Sequence, residues 1–361
     1  MSFLFLFLSC FAEEQSKPQK LGLPSCLENF KKVEPNLGIE SVFENNFKAG
    51  TVVLITEHHE QVIQLEALSQ AIELASKKNP ELSFSAEWLP AISNEKINKL
   101  VNGQKWDSEL WLSIIGDKDY IRPLHIQEYE IPIQKIWEIN QNRKQPILIF
   151  GLAPNCSFQD KAREGVLGCL MDREDFMEKQ VRENFPPSQK GGLLVSLGFR
   201  HAQLVTTDID NRVPLGKRLD DYETISVLQN GFGEDGLSLC GGLFDQLNQE
   251  VILSLNEEGL SVLDTSCTSK DPYHKLVSLK DAYTYVWATP YEWKQGTHID
   301  LDNLDSAALN KWSTFQNALM KQPSLGADVT VWEAWIEKNF EQIQPQKQEG
   351  FDCSKLDVVE K

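Results

Sequence analysis

An α/β domain, with a central parallel or mixed sheet and helices on both faces, is the fold class this sequence predicts. Two observations carry the prediction. Short apolar, β-branched runs suited to buried strands recur along the chain, beginning with TVVLIT at 51–56. Behind that first run, Leu65, Leu68, Ile72 and Ala75 recur at spacings of three and four, the stripe of an amphipathic helix. A strand, a helix and a second strand (LSFSAEW, 82–88) joined by a crossover of this length imply a parallel pair.

The later elements follow the same alternation. A helical stretch over about 125–142 leads to a third strand, PILIFG (146–151). DREDFMEKQVRENF (172–185) has helical composition and stops before Pro186 and Pro187. GGLLVSLGFRH (191–201) reads as a fourth strand with a glycine turn, and further strands are expected at 223–229 and 283–288. Segments 303–321 and 329–340 read as helices. With no repeat and no strong linker, residues 41–340 form a single large domain with helical insertions. Residues 13–40 read as a polar tether and 341–361 as a polar tail.

Composition narrows the function. The 361 residues are 41% hydrophobic and 24% charged, as in ordinary globular chains able to bury a sizeable core. The 53 acidic and 35 basic residues give a net charge of −18, which repels polyanions and argues against nucleic-acid binding and adhesion to anionic lipid. Residues 1–12 carry a short apolar run that resembles a secretion signal, although no Lys or Arg precedes it. FLSC resembles a relaxed lipobox with Cys10 as the lipidated residue, and cleavage before Glu13 is the alternative. Export to a bacterial cell envelope, periplasmic or lipid-anchored, is the expected localisation, and a lipid anchor at Cys10 would be the one membrane contact. Of the seven cysteines, removing Cys10 leaves Cys26, Cys156, Cys169, Cys240, Cys267 and Cys353. Their even number and the lack of any CxxC pair favour disulfides over a zinc site.

The chemistry collects at the strand ends. In open α/β sheets, ligands bind in the crevice at the carboxyl ends of the strands. The strand map delivers Glu57 and His59 from the first strand, Glu87 from the second and His201 from the turn after the fourth. Glu57 and His59 are two apart and share a face while the chain stays extended, whereas His58 points away. Two imidazoles and two carboxylates can hold a divalent ion such as Mn²⁺, Co²⁺ or Zn²⁺ that acidifies water. Without a metal, a histidine can deprotonate water while a carboxylate orients it. Taken singly, each residue also suits a plain role, as a capping carboxylate or a polar rim histidine. Their arrival at one rim from three strand ends is what points to a site.

At these residues the chain resembles the superfamily that unites erythromycin esterase-like hydrolases, ChaN-like haem-binding lipoproteins and TraB/Tiki proteins. VVLITEHHE resembles its opening strand, placing Glu57 and His59, with Thr56 where glycine is usual. FSAEW resembles the second-strand glutamate at Glu87. REDFM resembles an Arg-Asp-x-x-Met helix, with Arg173 matching and Glu174 replacing the aspartate. GFRH resembles the turn that supplies His201. PLGKRLDDYETISVLQNGFG (214–233) and DAYTYVWATP (281–290) resemble the esterase branch, so the likeness spans about 45–293. The resemblance implies a hydrolase of ester, lactone or peptide bonds acting on a small molecule or peptide, with His59, Glu57, Glu87 and His201 as catalytic or metal-ligating residues. The alternative it implies is a non-catalytic lipoprotein that binds haem or another ligand. The esterases place their histidine three residues after the glutamate, where this chain has Glu60; His59 follows the ChaN-like spacing.

Arg173 suits either of two functional roles, holding a substrate carboxylate or orienting Glu87 through a bidentate pair, and an ordinary helix-surface ion pair is the plain alternative. Tyr120, His125 and Tyr129 have spacings that fit packing better than a cleft, and His274 and His298 lie in polar loops. GFGEDG (231–236) lacks the lysine and the strand-to-helix context of a phosphate loop. No serine sits in G-x-S-x-G. Core packing is the expected use of the nine tryptophans.

Overall fold

The computed structural model describes residues 38–57, 61–115, 127–154, 173–206, 213–229, 251–255 and 279–288. The order of elements is α1 (Glu40–Asn46), β1 (Thr51–Glu57), α2 (Val62–Lys78), β2 (Ser83–Pro90), α3 (Asn94–Val101), α4 (Ser108–Ile115), α5 (Glu130–Asn140) and β3 (Leu148–Ala153). Then follow α6 (Arg173–Asn184), β4 (Leu193–Gly198), α7 (Leu215–Arg218), β5 (Glu223–Gln229), β6 (Val251–Ser254), α8 (Leu279–Ala282) and β7 (Tyr285–Ala288). Each strand the sequence predicts has a counterpart. The helices at 94–101 and 108–115 and the short strand at 251–254 are additions. Ile97, Leu100 and Val101 are buried at helical spacing in α3. The helices expected at 303–321 and 329–340, and all seven cysteines, lie outside the described residues.

The seven strands form one mixed sheet in the order β3-β2-β4-β1-β5-β7-β6. All described pairings are parallel except β6 with β7. The sheet is buried on both sides, so β1 carries a continuous apolar run rather than an alternating one. Val53, Ile55, Phe84, Trp88, Leu194 and Val227 join one core with α1 to α5. Val52, Leu54, Phe150, Val195, Leu197 and Leu228 join a second core with α6 and α7. Period-two alternation sorts each strand between these cores.

Two features place the functional rim. From β2 the chain leaves towards β3, whereas from β4 it leaves in the opposite direction, towards β5. Connections that part at neighbouring strands open a crevice at their carboxyl ends, here between β2 and β4. The second feature is an irregularity in β2. Its pairing with β4 ends at Ala86, and its register with β3 shifts between Ala86 and Pro90. Glu87 sits at that shift, so it lies within the strand rather than at its tip. Gly151 of β3 faces the shifted backbone so closely that a Cβ there would collide with the Leu89 carbonyl.

Candidate functional site

Glu87 is fully buried, with 0% of its surface exposed. It follows Ser85 on the face of β2 opposite Phe84, Ala86 and Trp88, and so points towards α6. A bare carboxylate there would be prohibitively costly, and two donors compensate it. The Gly198 amide donates to its Oε2 at 2.6 Å, and Arg173, in the first turn of α6, forms an ion pair with its Oε1. Of the two roles the sequence left open for Arg173, the structure shows the pair with Glu87.

His201 reaches the same carboxylate from the turn after β4. Its Nε2 stands 3.6 Å from Glu87 Oε1. Its Nδ1 makes a short contact with Glu174 Oε1. An ionised carboxylate only accepts hydrogen bonds, so Nδ1 is the donor in this contact, and Nε2 is the nitrogen that faces Glu87. The backbone of the turn is fixed as well. The His201 amide donates to the Gly198 carbonyl at 3.0 Å, and the His201 carbonyl accepts from the Gly216 amide at 2.9 Å. Gly216 must be small: a Cβ would lie 2.6 Å from the carbonyl oxygens of Ala202 and Gln203. Tyr283 adds a bond from its hydroxyl to the Phe199 carbonyl, 3.0 Å long.

Glu57 belongs to a different surround. It continues the Val53 and Ile55 face of β1, opposite to the face that Glu87 joins. There the Ser196 hydroxyl donates to Glu57 Oε2 at 3.3 Å, and the Trp88 indole donates to Ser196 Oγ at 3.4 Å. Trp88 in turn stacks on Tyr129, with ring centroids 4.6 Å apart. The structure thus gathers Glu87, His201 and Arg173, and sets Glu57 across the sheet from them. His58, His59 and Glu60 lie outside the described residues, as do Tyr120, His125, His274 and His298. Thr56, where the superfamily usually has glycine, accepts the Gln229 amide at 2.8 Å and ties β1 to β5.

Glu174 is the residue that the sequence noted only as a motif variant and left out of the site. Its position next to Arg173 was the available signal: on a helix pointing its first turn at the rim, both neighbours reach the crevice.

The described donors do not suit a divalent ion. Both oxygens of Glu87 are engaged by cationic or N–H donors, a guanidinium occupies the adjoining space, and His201 Nδ1 is committed to Glu174. Only the Nε2 lone pair remains for a metal, and Glu57 faces the other way. Among the described residues no group of three or more His, Cys, Asp or Glu has the placement of a metal centre.

No family model and no curated protein matches the chain. Solved structures do. A Bacillus cereus protein is 10% identical over 74% of this chain and 95% of its own, with a TM-score of 0.50, and shows the same fold. ChaN of Campylobacter jejuni, a structure with cofacial haem, is 11% identical over 69% of this chain and 91% of its own, with a TM-score of 0.42. A mutant of the erythromycin esterase EreC in its open conformation is 11% identical over 76% and 96%, with a TM-score of 0.47.

Proposed function

We propose that the chain is an exported hydrolase of an ester, lactone or peptide bond that activates water between His201 and Glu87. One observation carries this reading: His201 Nε2 and Glu87 Oε1 face each other at 3.6 Å. With the imidazole proton on Nδ1 both atoms are acceptors, which calls for a shared donor, and a water molecule or a substrate hydroxyl fits both. A water held there loses a proton to Nε2 as its oxygen attacks the substrate carbonyl carbon. Glu174 at Nδ1 stabilises the imidazolium that forms. The tetrahedral intermediate then expels the alcohol or amine, which takes the proton back from Nε2. Arg173 pairs with Glu87 beside the water. Its Nε is buried without a hydrogen-bond partner among the described residues, which suits it to bind the carbonyl oxygen.

The test is hydrolysis of p-nitrophenyl esters and short peptides by the wild type and two variants. His201→Ala and Glu87→Gln should each lower kcat/KM by at least about 10²-fold. In the same assay His59→Ala should lose activity and His58→Ala should keep most of it, if the extended backbone continues past Glu57. Unchanged turnover in both His201→Ala and Glu87→Gln would sink the reading. A stoichiometric Soret band on haem titration, in a protein without hydrolytic activity, would replace it with the haem-binding alternative.

A further inference from the structure

At the carboxyl rim, on the α2 and α5 side of the sheet, one row of side chains crosses five neighbouring strands. It runs from Trp88 on β2 past Gly198 on β4 to Glu57 on β1, Gln229 on β5 and Trp287 on β7, with Ser196, one pleat earlier on β4, bonded to both Trp88 and Glu57. Gln229 follows Ile225 and Val227 by period two, and its register partner on β7 is Trp287. Ile55 pairs with Val227, so the same register carries Glu57 alongside Gln229. The polar trio is deeply buried, with Ser196 at 1%, Gln229 at 2% and Glu57 at 5% exposure. Gln61, 1% exposed, stands at the N-cap position of α2, the helix that packs on this side of the sheet.

The amides of this row are unsatisfied. Gln229 Nε2 has no hydrogen-bond partner among the described residues, and neither has Gln61 Nε2 or Oε1. The Gln229 backbone amide is bonded to Thr56, so the shortfall lies in the side chain alone. Buried amides are almost always paired, and an unpaired one is retained at a cost in stability. Two of them at the same carboxyl end of the sheet as the buried Glu57 read as groups awaiting a ligand.

The chemistry of the row selects that ligand. Gln61 offers a donor and an acceptor, Gln229 a donor, and Glu57 an acceptor. Hydroxyls both give and receive hydrogen bonds, and a pair of them, as in a diol, can meet both acceptors and both donors. An anion would meet the Glu57 carboxylate, and an ammonium would leave the amide donors idle. Trp88 and Trp287 close the row with apolar walls. Gly198, the register partner of Glu57 and the donor to Glu87, has no side chain to separate this row from the water-activating pair. We infer that the row is a recognition subsite for a neutral, hydroxyl-bearing part of the substrate, whose scissile bond lies across Gly198 at His201. This inference rests on the hydrolase reading for the position of the scissile bond, but not for the binding.

A binding measurement separates the two. The probes are 1-O-butylglycerol and its di-O-methyl ether, which share a skeleton and cannot be hydrolysed. Their affinities are read by ligand-observed NMR on the full chain. The wild type should bind the diol at least about 10-fold more tightly than the dimethyl ether, because only the diol can donate. Gln229→Met should abolish the preference while raising the thermal midpoint, since it replaces an unpaired amide with an apolar chain of similar size. His201→Ala should keep the preference. Equal binding of both probes by the wild type, or a preference that survives in Gln229→Met, would overturn the subsite. Loss of the hydrolase reading would show instead as inactivity with the probe preference intact.

Discussion

Glu174 presents a residue-scale problem with a measurable answer. It touches no reacting atom in the scheme above and acts through His201, so it is a positioning residue. A carboxylate on Nδ1 fixes one tautomer and one ring orientation, as orienting partners do for catalytic and metal-bound histidines. Glu174→Ala should lower kcat about 10-fold or more with little change in KM, and Glu174→Asp should recover part of the loss. The ¹⁵N spectrum of His201 should lose the single Nδ1–H pattern in the alanine variant. A fall in KM-dependent terms alone, with the tautomer unchanged, would assign Glu174 to structure only.

Among the elements, the edge strand β3 shows how a short sequence signal protects a sheet. An edge presents unpaired N–H and C=O groups that invite another chain. Here three asparagines meet them in turn. Ile147, Ile149 and Gly151 donate their amides to Oδ1 of Asn140, Asn98 and Asn94 at 2.8, 3.2 and 2.7 Å. Asn98 Nδ2 also donates to the Ile149 carbonyl at 2.6 Å, so its side chain imitates a strand residue. Asn98→Ala removes both bonds and leaves two backbone groups to partial solvent, which should cost about 1–3 kcal/mol in denaturant unfolding. No change in the unfolding midpoint would show that water replaces the amide fully.

The helix that carries Arg173 and Glu174 is anchored at its other end by charge. Arg182 of α6 bonds both oxygens of Asp221, at 2.7 and 3.0 Å, and donates to the Arg218 carbonyl. This guanidinium holds the Asp221 carboxyl below its usual range. Arg218 returns to Glu178 and Asp175 on α6. The network joins α6 to the segment that holds Gly216 against the His201 carbonyl, so both flanks of the site are fixed by one set of contacts. Burial also pushes the Tyr222 phenol up, and its hydroxyl donates to the Phe185 carbonyl at 2.8 Å at the end of α6.

For the molecule as a whole, the strong negative charge and the cysteine count give a test of the expected compartment. If the chain is exported, thiol titration of the denatured mature protein should find essentially no free cysteine. Six titratable thiols under non-reducing conditions would instead point to a reducing compartment and undo the proposed localisation. Among the described residues no helix is long and apolar enough to cross a membrane, so a membrane contact of this part of the chain would need another device.

The alternation of strands and helices was legible in the sequence because its causes are local. Val52 to Ile55 form a run that can be buried on both faces, and Leu65, Leu68, Ile72 and Ala75 mark one side of a helix whatever they pack against. The approach of His201 to the rim was legible too, since it follows from where β4 ends, whereas Glu87 lies within β2 at a register shift and not at its tip. The separation of Glu57 from Glu87 was not. It depends on which core each strand face joins, and that was settled by the insertion of β4 between β1 and β2 and by the register shift after Ala86. Neither feature leaves a trace in a single strand. Nor could the sequence say that Glu174 orients His201, that Arg173 neutralises Glu87, or that Gln229 and Gln61 remain unpaired. Hydrophobic period is a property of a segment and can be read residue by residue. Pairing of buried charges and amides is a property of segments distant in the sequence, and only the folded chain decides it.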